Sequence, residues 1–116
     1  MIAMKQNVDY NGQVVTISLA GKIMGDPIPT RMFHGTIAEF LSLNKRNFLI
    51  DLDKVDWVNS IGLGMLLSAH KEARRAGGKV ILCNVHNVES LLSMTNLLKV
   101  FEHCNNSDEA QWKFVD

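Results

Sequence analysis

The chain has 116 residues, 47% of them hydrophobic, with twelve basic and twelve acidic residues that cancel. That length holds one core, so residues 1–116 are expected to form a single domain that needs neither disulfides nor a structural metal. The two charge types are interspersed and no apolar run is long enough to cross a bilayer, so neither nucleic-acid binding nor direct membrane insertion is expected.

Residues 2–10 alternate Met4, Gln6, Val8 and Tyr10 against Lys5, Asn7 and Asp9, and Asn11-Gly12 supplies residues that tolerate the positive φ of a tight turn. The return strand sets Val15, Ile17 and Leu19 on one face, and Gly21 is expected to end it. Gly25-Asp26-Pro27-Ile28-Pro29 then breaks regular structure and opens a helix, because proline is tolerated in a first helical turn. Phe33, Ile37, Phe40 and Leu41 recur at helical spacing along it. After the polar connection Asn44-Lys45-Arg46-Asn47, the run Phe48-Leu49-Ile50 reads as a strand covered on both sides.

Residues 51–67, DLDKVDWVNSIGLGMLL, hand that strand over to a helix through a polar turn holding Asn59, Ser60, Gly62 and Gly64. In the helix, Leu63, Leu66, Ala69, Ala73 and Ala76 trace one face, and Gly77-Gly78 stops it before a strand over Lys79 to Cys83. Asn87 is a predicted cap for a third helix carrying Val88, Leu91 and Leu92, with Asn96 at its end. Val100-Phe101 reads as a last short strand, and Ser107-Asp108-Glu109 as the capped start of a final helix with Trp112. Alternating strand and helix implies parallel pairing with right-handed crossovers.

By spacing alone Ser60 is a helix cap. The same position lies among backbone N–H groups that lack intrahelical partners, where a negative charge would be stabilised. Hydrolase chemistry lacks support, because Ser60-Ile61-Gly62-Leu63-Gly64 has no glycine two residues before the serine, and Gly62-Leu63-Gly64 lacks the Lys and hydroxyl of a phosphate-binding loop. The expectation is that the chain is not an enzyme and uses no cofactor. Cys83-Asn84-Val85-His86 offers half a metal-ligand spacing with no second pair to answer it, so no metal is expected. Cys83 and Cys104 form no disulfide framework and no leader is visible, which points to a reduced cytoplasm. One of Trp57 and Val58 should face the core, Met65 and Met94 read as core filler, and Lys71, Arg74 and Arg75 read as a solvated helix face rather than a docking site.

Asp51-Leu52, Val55, Trp57-Val58 and Asn59-Ser60-Ile61-Gly62-Leu63-Gly64 resemble the signature of the STAS family, the anti-sigma factor antagonists. Gly21-Lys22-Ile23, Gly77-Gly78-Lys79 and Leu97-Leu98-Lys99-Val100-Phe101 stand at the distances the family would have them. The resemblance spans nearly the whole chain and implies an α/β domain: a mixed, mostly parallel sheet, its first strand antiparallel, with helices packed mainly on one face. It implies Ser60 as a phosphoacceptor, and a partner surface made of Asn59, Ser60, Ile61, Gly62, Leu63 and Gly64 together with Met24 and Asp26. The implied partners are an anti-sigma factor that is also a serine kinase and supplies its own ATP, and a serine phosphatase. The sequence departs from the family in three places: Asn59 stands for an Asp, Ile61 for a small or hydroxylated residue, and Met24 for an acid. Asn59 and Ile61 give sequence support to an alternative, an unphosphorylated STAS scaffold subunit of a stress-signalling or lipid-transport complex.

Overall fold

A computed structural model describes residues 3–114. Five strands lie side by side in sequence order: β1 Lys5–Tyr10, β2 Val15–Ile23, β3 Asn47–Val58, β4 Lys79–Cys83 and β5 Glu102–Cys104. β1 runs antiparallel to β2, and the remaining neighbours are parallel. The described helices are α1 Pro27–Ser42, α2 Ser60–Arg75, α3 Glu89–Met94 and α4 Ser107–Lys113. The mixed, mostly parallel sheet is the one the sequence implied.

Strand alternation divides the buried residues between two faces. Phe48, Ile50 and Leu52 join Val15, Ile17, Leu19, Val80 and Leu82 in the main core, where Phe33 and Ile37 of α1, Leu66, Ala69 and Ala73 of α2, and Leu92 of α3 close over them. Leu49, Ile81, Cys83 and Cys104 point the other way, into a smaller cluster covered by Ala110 of α4 and by Phe114. Among the described residues, α1, α2 and α3 therefore share one face and α4 packs on the other.

Several boundaries differ from the sequence reading. β2 does not stop at Gly21: that residue takes φ +91°, the register shifts beside it, and the strand continues to Ile23. The extra residue at that shift is Asp56 of β3, so β3 bulges opposite the Gly21–Lys22 step while β2 goes on beside it. The β1–β2 turn is wider than two residues, since Tyr10 pairs with Val15. Only Gly12 has positive φ there, and the Asn11 carboxamide oxygen accepts from the backbone N–H groups of Gln13 and Val14 at 3.0 and 2.8 Å.

Asn87 does not cap α3. It lies in a 3-10 turn, Val85–Asn87, and its amide donates to the Asp53 carbonyl at 3.0 Å. Val100-Phe101 precedes the last strand instead of forming it. Met65 is core, but Met94 is 81% exposed, because it stands two residues past the buried Leu92 and so on the opposite side of α3. Ala76 follows the last turn of α2 and is exposed.

Candidate functional site

Past Gly21, β2 stays paired with β3, which bulges at Asp56, and at the end of both strands Ile23 pairs with Val58. At that point Asn59 ties three segments together. Its N–H donates to the Ile23 carbonyl at 3.1 Å, its side-chain oxygen accepts from the Gly62 N–H at 2.9 Å, and its side-chain NH₂ donates to the Met24 carbonyl at 3.2 Å. Asn59 is thus the N-cap of α2, in an extended conformation with φ −98°. Ser60 is not the cap that its position suggested: it is the first helical residue, and its side chain is exposed. Its hydroxyl forms no hydrogen bond among the described residues. An anion carried there would meet the positive end of a 16-residue helix.

The rest of the motif divides by burial. Leu63 anchors the turn in the core at 5% exposure. Gly62 is buried against β2, and a Cβ there would run into the Ile23 carbonyl oxygen and side chain. Gly64 is exposed, with nothing within 4 Å of where a Cβ would stand. Ile61 is 64% exposed and its side chain lies over Gly25, which holds φ +81°. The Asn59 bond to Met24 and the Ile61 contact on Gly25 bring the 24–26 loop beside the start of α2. Met24 and Asp26 are both half-buried there, and the Asp26 carbonyl accepts from the Thr30 N–H at 3.0 Å at the start of α1. Asn59, Ser60, Ile61, Gly64, Met24 and Asp26 therefore gather at one end of the sheet, with Gly62 and Leu63 beneath them.

Three apolar residues near this end are exposed: Trp57, for which the sequence left core and surface anchor both open, and Ile28 and Met32, which it did not single out. Trp57 is 53% exposed while Val58 is 1% exposed, so alternation sends the indole outward. Ile28 and Met32, one turn apart on the first turns of α1, are also exposed. Their i, i+4 spacing, offset from the Phe33 and Ile37 face, was the available signal.

The other candidates have no comparable arrangement. Cys83 and Cys104 are register partners on β4 and β5, both free and buried. Burial, with the Asp51 carboxylate adding to it, pushes the Cys83 thiol up to about 12, so it is no nucleophile at neutral pH. His86 lies 3.3 Å from Asp53, but no group of three or more metal-ligating side chains comes together among the described residues. No described helix is long and apolar enough to cross a membrane.

Comparison with known proteins adds two kinds of likeness. A family model described as the STAS domain matches residues 6–110. The chain is 25% identical over 79 residues to a Bordetella bronchiseptica protein assigned as the anti-sigma factor antagonist BtrV, an alignment covering 67% of this chain and 68% of the relative. Among solved structures, a Thermotoga maritima protein with the same assignment superimposes with a TM-score of 0.82 at 22% identity, covering 94% of this chain and 93% of that one. The Bacillus cell fate determinant SpoIIAA in its phosphorylated form gives a TM-score of 0.72 at 15% identity, covering 94% and 98%. At these identities the two structures establish a shared fold.

Proposed function

The chain belongs to the STAS domain family, and from that premise we propose that it is an anti-sigma factor antagonist whose partner binding is switched by phosphorylation of Ser60. The observation that carries this reading is the division of labour at the start of α2: Asn59 takes the cap, which leaves the Ser60 hydroxyl exposed and without a bond. In the unphosphorylated state the surface around Asn59, Ser60, Ile61 and Gly64, with Met24 and Asp26 beside it, engages an anti-sigma factor and releases the sigma factor that it held. The anti-sigma factor is also the kinase. It supplies ATP, Mg²⁺ and the base, so this chain need only present a hydroxyl.

A phosphate on Ser60 adds about −1.5 to −2 charges to that surface. The helix N-terminus accommodates the charge within the fold, whereas a partner packed over it meets repulsion and a desolvation cost. A loss on the order of 3 kcal/mol weakens binding roughly a hundredfold, enough for a switch that a phosphatase resets. Site mapping by mass spectrometry on protein from its own cells, before and after phosphatase treatment, tests the reading. Phosphate on Ser60, with labelling lost and binding locked on in Ser60→Ala, is the expected result.

A second reading has a specific observation in its favour. Ile61 places an exposed branched side chain directly after Ser60, against Gly25, and Asn59 leaves the neighbouring cap uncharged. Both fit an unmodified scaffold subunit. A chain that stays unphosphorylated through growth and stress, and that recovers a transporter ATPase in place of a kinase, would establish that role.

A further inference from the structure

We propose a second ligand site at the opposite end of the sheet from Ser60, a pocket for one phosphate group of a small soluble molecule, formed by Arg46, Arg74 and Lys79. A hollow of about 290 Å³ lies there, lined by these three cations with Gly77, Gly78 and Phe114. It stands at the lower end of the roughly 300–1,000 Å³ typical of small-molecule sites.

The fold assembles the hollow from three separate segments. Arg46 precedes β3, Arg74 lies in the last turn of α2, and Lys79 opens β4; Asn47 and Lys79 are register partners, which places the two strand starts side by side. Gly78 permits this closeness, because a Cβ there would strike the Arg46 carbonyl oxygen. The Lys79 N–H donates to that same oxygen at 3.1 Å.

Basic residues at the end of a helix often serve only to neutralise its carbonyls. Here backbone N–H groups already serve the Glu72, Ala73 and Arg74 carbonyls, and of the three cations only Arg46 reaches a described carbonyl at this end, that of Ala76. The Gly77 N–H donates to the Arg74 carbonyl at 3.0 Å, that of Gly78 to the Ala73 carbonyl at 2.8 Å, and that of Ala76 to the Glu72 and Ala73 carbonyls at 3.2 and 3.1 Å. Of the three cations, Arg46 donates to the Ala76 carbonyl at a long 3.4 Å, Lys79 pairs with Glu102 at 3.9 Å, and Arg74 forms no ion pair or side-chain hydrogen bond among the described residues. Among the described residues, three positive groups thus surround one cavity with a single, distant carboxylate paired to them. Repulsion among them is relieved by a bound dianion, and two guanidinium groups suit the geometry of phosphate oxygens.

The chain's zero net charge conceals this arrangement, since the acidic residues Asp51, Asp53 and Asp56 sit further along β3, toward the Ser60 end. The size of the hollow selects a small phosphate over a folded partner. The site is independent of the switch at Ser60, and its failure would leave that reading untouched.

The test is an NMR titration of the whole chain with inorganic pyrophosphate at low ionic strength, with phosphatidylcholine vesicles doped with phosphatidic acid as a parallel arm. The expected result is saturable shifts at Arg46, Arg74, Gly77, Gly78 and Lys79, unchanged in Ser60→Ala. Affinity should fall about tenfold in Arg74→Gln and again in Lys79→Gln, since each removes a charge-assisted bond. No saturation with pyrophosphate, shifts centred on the start of α2, or equal binding by both variants would overturn the proposal. Binding to the vesicles without a response to pyrophosphate would overturn it in favour of a lipid surface.

Discussion

Asn59 does the work that the sequence alone would assign to Ser60, and the physical cause is the shape of its side chain. A carboxamide reaches the Gly62 N–H with its oxygen and the Met24 carbonyl with its nitrogen at the same time, which a hydroxyl is too short to do. Replacing Asn59 by Ala should cost about 1 kcal/mol of stability through the lost cap, measured by chemical denaturation. Asn59→Asp separates the two bonds. A carboxylate still caps and favours the helix dipole, so stability should stay near that of the parent, but it cannot donate to Met24, and the freed 24–26 loop should weaken partner binding about tenfold. Equal binding by parent and Asn59→Asp would show that the tether is not part of the interface. The two motif glycines also differ. Gly62→Ala forces a Cβ onto the Ile23 carbonyl and should destabilise by about 2–4 kcal/mol, whereas Gly64→Ala meets open space and should stabilise α2 by about 0.5–1 kcal/mol. Matching losses for the two would mean that the turn does not pack on β2 as described.

At the scale of elements, the same cap pattern recurs at α4, where Asn106 accepts from the Glu109 N–H at 2.8 Å and Ser107 becomes the first helical residue. In both Asn-Ser pairs the asparagine stays extended and the serine enters the helix, so an Asn-Ser step marks a start one residue earlier than the serine suggests. α4 has a further consequence, because it covers the face of β4 and β5 that carries Cys83 and Cys104. Burial raises both thiols above their ordinary value, with Asp51 adding to the effect at Cys83 and Glu109 at Cys104. Neither should react with an aromatic disulfide reagent at about pH 8 in the folded protein, and both should react in denaturant. Rapid native labelling would mean that α4 leaves the sheet readily. Since α4 is seven residues long and its cluster is much the smaller of the two, any labelling should come from local opening and should precede global unfolding.

Over the whole molecule, acid should act through His70, whose ring lies edge-on to Phe101 at 5.2 Å and whose Nδ1 is buried with no hydrogen-bond partner among the described residues. Burial first and the Arg74 charge second hold its pKa below the ordinary 6.5, against an opposing pull from Glu102. The native state therefore binds fewer protons than the unfolded chain between the lowered value and 6.5, and stability, full above that range, falls as pH drops through it. His70→Gln should flatten this dependence of the melting temperature, and an unchanged slope would assign it to other groups. The sequence by itself determined the order of strands and helices, the inward faces of β2, β3 and α2, and the stretch from Asp51 to Gly64 as the place to seek function. These rest on local periodicity and on glycine and proline chemistry, which neighbouring residues carry together. Only the tertiary structure decided that Asn59 caps and Ser60 is left free, that β2 runs through Gly21 to reach them, and that Arg46, Arg74 and Lys79 meet. Each of those outcomes depends on bonds and packing between segments remote in sequence, such as Asn59 to Met24 or Gly78 against Arg46, and no local pattern encodes such a contact.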